Sequence, residues 1–244
     1  MSDSRDTLFA DPLAGTPAFR FDSDVARVFP DMIERSVPGY ATVVALSGML
    51  AARHAVAGSA LYDLGCSLGA STLAMRRQLR VPGCRIVAVD NAQPMLDRCR
   101  ELIAADDGDT PVELRLADVR DVGIEDASMV VLNWTLQFVP VADRAALLAG
   151  IARGLRRGGV LVLSEKIRFE DPALDALNGE LHHQFKRANG YSALEVAQKR
   201  SALENVLVPE TLAVHRARCL DAGFASCDVW FQCFNFASLI ALKA

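Results

Sequence analysis

The sequence predicts an α/β fold: a doubly wound, mainly parallel seven-stranded sheet with a helical insertion and an antiparallel C-terminal hairpin. Three observations predict it. Short apolar runs alternate with amphipathic stretches from residue 60 to residue 164, the rhythm of right-handed βαβ units. Four segments end in polar residues, Asp63, Asp90, Asp118 and Asn133, which gathers polar groups at the carboxyl edge of the sheet, where such folds bind ligands. Two β-rich runs, 226–232 and 235–243, are close enough in sequence to pair antiparallel.

Residues 1–30 carry Pro12, Gly15, Pro17 and Pro30 and are expected to form an irregular arm or lid. Helical spacing follows from Asp31 to His54, interrupted by Pro38-Gly39. The first strand is expected over 60–64 and its helix over 70–80, stopped by Pro82-Gly83. The second strand spans 84–90. In the next helix Pro94 suits the first turn and Met95, Leu96, Cys99, Leu102 and Ile103 form one apolar stripe. Strand three runs from Val112 to Ala117 and strand four from Met129 to Asn133. A helix from Asp143 to Leu155 ends before Gly158-Gly159, and strand five covers Val160 to Ser164.

Residues 167–208 break the alternation and read as two helices. Ser192 and Glu195 have capping-box spacing at the start of the second, which is expected to reach Leu207 before Pro209. A helix over 210–222 stops at Gly223, a suitable C′ residue. The chain of 244 residues is expected to form one domain over 1–244, with 1–54 as arm and helical lid and 167–208 as the insertion.

The net charge of -4 argues against a protein whose main task is gripping RNA. Hydrophobic residues reach 51% and mean hydropathy +0.19, a slight apolar excess that points to an oligomer interface. The six cysteines contain no C-x-x-C pair and read as reduced core thiols, so no metal is expected. The start of the chain has no signal-peptide core, and no apolar run approaches the ~18 residues of a membrane span. A cytoplasmic protein is expected.

The stretch Tyr62-Asp63-Leu64-Gly65-Cys66-Ser67-Leu68-Gly69 turns a buried strand into a helix on two glycines. Glycine there lets backbone approach a ligand that a Cβ would keep away. Asp90, at the second strand tip, sits where a ribose is held, or it caps the following helix. Asp118 suits an adenine amino group, or a turn. The string Gly65-Cys66-Ser67-Leu68-Gly69 also matches a nucleophile elbow. The only later histidines, His182, His183 and His215, lie in predicted helices, and no glycine-rich oxyanion loop precedes the motif, so the elbow is discounted. Arg76-Arg77, Arg156-Arg157 and Lys186-Arg187 read as solvated helix faces, and His182-His183 as a solvated pair. Arg200 shares a helical stripe with Val196, Leu203 and Leu207. An arginine there must pair or snorkel; it either closes an internal salt bridge or receives a carboxylate, which guanidinium matches bidentately.

The loop Asp63-x-Gly65-x-x-x-Gly69, with Asp90, Asp118 and Asn133, resembles the class I S-adenosylmethionine-dependent methyltransferases. A closer resemblance covers residues 5 to 236. Arg5-Asp6-Thr7-Leu8-Phe9, Arg35-Ser36-Val37-Pro38-Gly39-Tyr40, Asn133-Trp134-Thr135-Leu136-Gln137-Phe138, Leu163-Ser164-Glu165-Lys166, Phe185-Lys186-Arg187-Ala188-Asn189-Gly190-Tyr191-Ser192, Gln198-Lys199-Arg200-Ser201 and Trp230-Phe231-Gln232-Cys233-Phe234-Asn235-Phe236 are similar to the carboxy-S-adenosyl-L-methionine synthase family. Members convert S-adenosylmethionine and prephenate to carboxy-S-adenosylmethionine, phenylpyruvate and water. The product serves an enzyme that carboxymethylates tRNA wobble uridine.

By that resemblance the cofactor contacts are Tyr40, Gly65, Cys66, Ser67, Asp90, Asn91, Asp118, Val119, Asn133 and Arg200, with Arg200 as the catalytic residue. Val119 replaces a frequent isoleucine, and Trp134 a more usual phenylalanine. The resemblance also implies a homodimer, a functional link to a tRNA carboxymethyltransferase, and no direct nucleic-acid or membrane contact. The new carboxylate beside the sulfur gives Arg200 a role, because a cation there stabilises product selectively. No residue is assigned as general base. The alternative readings are a methyltransferase acting on tRNA or a small acid, and a non-catalytic S-adenosylmethionine-binding subunit.

Overall fold

The computed structural model describes residues 5–12, 19–203 and 206–244. Seven strands form one sheet: β1 (Ala60–Leu64), β2 (Arg85–Asp90), β3 (Val112–Leu116), β4 (Ala127–Asn133), β5 (Leu155–Lys166), β6 (Ser226–Cys233) and β7 (Phe236–Leu242), in the order β3-β2-β1-β4-β5-β7-β6. The first five are parallel and β7 pairs antiparallel with both β5 and β6. The order reverses between β1 and β4, which opens a crevice at their carboxyl ends.

Among the described residues, eight α-helices surround the sheet: α1 (Ser23–Ser36), α2 (Tyr40–His54), α3 (Ala70–Gln78), α4 (Gln93–Ala104), α5 (Arg144–Gly154), α6 (Pro172–Ala188), α7 (Ala193–Leu203) and α8 (Leu212–Asp221). The central strands are apolar on both faces because both are covered. Tyr62, Val87, Val130 and Leu161 pack toward α5 and α8 through Leu148, Ile151 and Cys219. Leu61, Ile86, Met129 and Val160 pack toward α2 and α3 through Ala51 and Met75.

Several predicted boundaries move. α1 begins at Ser23 and contains Pro30, which the sequence reading takes as a breaker. Asp22 caps the helix by accepting hydrogen bonds from the Asp24 and Val25 amides, and Val25, Val28 and Met32 bury one face. That packing outweighs the hydrogen bond that proline cannot make. Gly158-Gly159 lies inside β5 rather than before it. Leu155 pairs Ala127 and Val160 pairs Met129, so the intervening residues bulge, with Gly158 at φ 73°. Among the described residues α7 spans Ala193–Leu203, and Leu207, where the sequence predicts its end, is not helical. The capping box forms as read: the Ser192 amide donates to Glu195 Oε2 at 2.7 Å and the Glu195 amide to Ser192 Oγ at 3.2 Å.

Gly15 and Pro17 of the predicted arm lie outside the described residues. Among the described residues, no helix is long and apolar enough to cross a membrane.

Candidate active site

The crevice is a cavity of about 440 Å³. It is walled by the tips of β1, β2, β4 and β5 and roofed by α1, α6, α7 and the arm. Tyr40, Gly65, Cys66, Ser67, Asp90, Asn91, Asp118, Val119 and Asn133 all line it. Arg200 does not.

The glycine turn is built by sterics. Gly65 has φ 80°, and a Cβ there would overlap Thr135 Oγ1 and Cγ2. Ser67 and Trp134 are the cavity residues other than glycine with positive φ, at 51° and 57°, backbone strain gathered at one place. The amides of the turn face inward, not toward a ligand. Gly65 and Cys66 both donate to the Val89 carbonyl, at 2.8 and 2.9 Å, and Ser67 donates to Asp90 Oδ2 at 2.9 Å. The turn therefore offers no nest for a phosphate, in contrast to a dinucleotide loop. It presents carboxylates instead.

Asp63 is fully buried, accepts a 2.6 Å hydrogen bond from Thr72 Oγ1, and is pushed up to about 6 by burial. Burial also raises Asp90, opposed by the Ser67 and Ala92 amides that it accepts. Asp90 is thus both a turn cap and a wall group. Asp118 is held below the usual carboxylate range by its fork with Arg120.

Asn133 is fixed by a relay across the sheet. Trp230 Nε1 donates to Ser238 Oγ at 2.7 Å, and Ser238 and Ser164 share a 2.7 Å bond. Ser164 donates to Asn133 Oδ1 at 2.6 Å, and Asn133 Nδ2 donates to Ser71 Oγ at 2.9 Å. Next to it, buried Glu165 accepts the amides of Leu136 and Gln137 at 2.9 and 2.8 Å and so holds the Trp134 turn. Trp134 meets the Tyr40 ring at 5.2 Å between centroids.

The opposite wall is cationic. Lys166 at the tip of β5 and Lys186 on α6 line the cavity, and neither forms an ion pair or side-chain hydrogen bond among the described residues. Burial, reinforced by Lys166 and Lys199, pushes Lys186 down to about 7. His182 lines the same wall, bonded through Nε2 to the Ser36 carbonyl at 2.8 Å, and burial drives it to about 3, so it is neutral. The reading of Lys186 and His182 as solvated helix positions is therefore corrected. α6 turns them toward the β5 edge and leaves Arg187 outside with Glu180. Lys166 could have been anticipated, because it follows the fifth strand tip; Lys186 carries no signal of its own.

Arg200 does not take the inward place that the helical stripe predicts: it is exposed, and its charge reaches His183. The expected apolar stripe does not set the buried face of α7; Glu195, Gln198, Lys199 and Ala202 do, with Val196. Glu195 is held by its capping box, and Lys199 and Gln198 turn inward because the arm supplies partners. Lys199 Nζ donates to Asp6 Oδ2 at 2.5 Å and to Tyr191 Oη at 2.6 Å, and Tyr191 Oη donates to Asp6. Gln198 donates to the carbonyls of Phe9 and Asp11. Arg35 stacks on the Tyr191 ring at 3.8 Å and binds Asp31 at 2.8 Å.

The fit to S-adenosylmethionine rests on this geometry: a tight glycine turn whose amides are bonded within the protein rather than set out as a phosphate nest, and the carboxylates of Asp63 and Asp90 lining the cavity for a cationic ligand. Comparison with known proteins agrees. A profile described as a methyltransferase domain matches residues 61–159. The human N-acetylserotonin methyltransferase in complex with SAM shares the fold at TM-score 0.62 and 16% identity, over 91% of this chain and 55% of that one. The carboxy-S-adenosyl-L-methionine synthase of Citrifermentans bemidjiense is 57% identical over 244 residues, the full length of both chains. That of Aliivibrio fischeri is 57% identical over 238 residues, 98% of each. With sequence, fold and cavity in agreement along its whole length, the chain belongs to the carboxy-S-adenosyl-L-methionine synthase family.

Proposed function

We propose that this synthase uses prephenate as the source of the carboxyl group. It acts as a cytoplasmic homodimer of one-domain chains, and its product supplies a tRNA carboxymethyltransferase. One observation carries the choice of substrate: the cavity has two electrical ends. Asp63 and Asp90 face it from the β1 and β2 tips, while Lys166 and Lys186 face it from β5 and α6. A sulfonium and an acid are drawn to opposite ends and meet in between.

The sulfonium acidifies its methyl C–H bonds. Prephenate loses its ring carboxyl as CO₂ and its ring hydroxyl, which departs with the methyl proton as water. The methyl carbon takes up the CO₂, and the ring becomes aromatic in phenylpyruvate. The cavity contributes proximity, holding the CO₂ beside the carbon that captures it. The nine cavity residues, from Tyr40 to Asn133, hold the cofactor by turn, ribose and adenine contacts.

Arg200 receives the new carboxylate. Because it faces away from its own cavity, it acts across a protomer boundary. Exposed Leu174 and Leu177 on α6 and Leu194 on α7 provide apolar surface for that boundary. The protein's net charge of -4 fits a supplier of a small-molecule donor rather than an RNA binder. The test is incubation with S-adenosylmethionine and prephenate, followed by mass spectrometry. A cofactor heavier by one carbon dioxide is expected from wild type. Arg200→Ala should lose that product while still binding S-adenosylmethionine, and sedimentation should show a dimer. Folded wild type that yields no heavier cofactor would refute the reading.

A further inference from the structure

The cationic wall has a feature that the cofactor does not explain. Lys186 is 7% exposed and points its charge into a cavity with no carboxylate in ion-pair range among the described residues. The charged and titratable groups around it are Lys166 from β5, His182 and His183 from its own helix, and Lys199 from α7. Lys199 is already committed to Asp6, and Asp175 acts on Lys166 without forming an ion pair with it. A buried ammonium without a counter-ion is costly unless a ligand supplies one. Phe21, Phe138 and Trp134 line the same cavity, and the Phe21 and Phe138 rings meet edge to face at 5.6 Å, giving a planar ring somewhere to lie.

We propose that Lys186 and Lys166 form the subsite for one carboxylate of the acid substrate, and that this is the 2-oxo acid carboxylate retained in the product rather than the ring carboxylate that leaves. The proposal rests on prephenate as the substrate. The choice between its two carboxylates follows from chemistry. A carboxylate loses its negative charge as it departs as CO₂, so an ion pair would stabilise it in the ground state and forfeit that pairing in the transition state. A carboxylate that survives can be gripped throughout without that penalty. Gripping it at the lysine end leaves the ring carboxyl free to face the sulfur at the acid end. Arg200 and the lysine pair then serve different anions, one made in the reaction and one conserved through it.

Phenylpyruvate is the discriminating probe, because it keeps only the retained carboxylate. With S-adenosylmethionine present, calorimetry at pH 6.5 should show that Lys186→Gln weakens phenylpyruvate about tenfold or more and leaves S-adenosylmethionine within about twofold, an ion-pair-sized loss. Lys166→Gln should act in the same direction. Thermal melting should show Lys186→Gln at least as stable as wild type, because the variant no longer buries an unpaired charge; a purely structural lysine would lower the melting point. Unchanged phenylpyruvate affinity in both variants overturns the subsite. If Lys186→Gln fails to fold, wild type alone decides: its phenylpyruvate affinity should fall as pH rises from 6 to 9 and Lys186 discharges, and a flat profile overturns the proposal. The substrate reading is separable. Wild type that binds phenylpyruvate through Lys186 but makes no carboxylated cofactor from prephenate would sink that reading and leave the anion subsite standing. Normal turnover and KM for prephenate in Lys186→Gln would do the reverse.

Discussion

Gly65→Ala should damage the cofactor turn by two separable terms. Gly65 sits at φ 80°, and an L-residue in that left-handed region costs about 1–2 kcal/mol. The added methyl would also stand 2.9 Å from Thr135 Cβ and overlap the two atoms beyond it. Thr135 cannot turn away freely, since its Oγ1 donates to the Asn133 carbonyl at 3.3 Å. Overpacking of this kind costs about 1–3 kcal/mol, so the total loss of stability is about 2–5 kcal/mol. The assay is a double-mutant cycle with Thr135→Gly, read by denaturant unfolding and by S-adenosylmethionine affinity. In the double variant the overlap is gone and only the backbone term remains, so the coupling should recover about 1–3 kcal/mol. Additive losses in the cycle, or Gly65→Ala with wild-type stability and affinity, would refute the steric account of the turn.

Three further outcomes follow from the electrostatics. Asp63 is raised to about 6 by burial, and a cationic ligand pulls it back down. S-adenosylmethionine binding should therefore release protons near pH 6 and weaken as pH falls through that value, measurable by calorimetry in buffers of different ionisation enthalpy. Burial holds Lys186 at about 7 in the folded chain, against the ordinary lysine value of about 10.5. The unfolded state then binds more protons between those values, so stability relative to Lys186→Met should rise with pH from 7 to 10.5, at up to about 1.4 kcal/mol per pH unit. Equal pH dependence of the two proteins in chemical denaturation would contradict that burial. Asp6→Asn leaves Lys199, 5% exposed in its side chain, without its ion-pair partner. Breaking a buried pair costs about 3–5 kcal/mol, and the arm should become the first site of limited proteolysis.

Much of this protein is legible in its linear order. β1, β2, β4 and the Val160–Leu163 stretch of β5 are apolar runs because both sheet faces are covered there, and the polar tips Asp63, Asp90 and Asn133 stand out against them; the edge strand β3 mixes Glu113 and Arg115 with apolar residues and is marked by its place in the alternation, ahead of Asp118. The glycine turn at Gly65 is readable too, but not its reason: the sequence suggests backbone brought close to a ligand, whereas it is the distant Thr135 that leaves no room for a Cβ. The capping box at Ser192 and the stop at Gly223 are local chemistry and need no tertiary information.

Which face of a helix looks inward is a different matter. Lys199 and Arg200 are neighbours on α7, and periodicity favours Arg200 as the inward one through Val196, Leu203 and Leu207. The chain folds the other way because Asp6, 193 residues from Lys199, supplies a buried carboxylate that Lys199 reaches and Arg200 does not. Lys186 and His182 likewise look solvated until α6 docks over the β5 edge, and Pro30 looks like a breaker until Val25, Val28 and Met32 bury their face. Local sequence determined the strands, their polar tips and the turns, since those depend on neighbours a few residues apart. Only the tertiary structure decided where the charges on α6 and α7 point, since that depends on partners brought from distant parts of the chain.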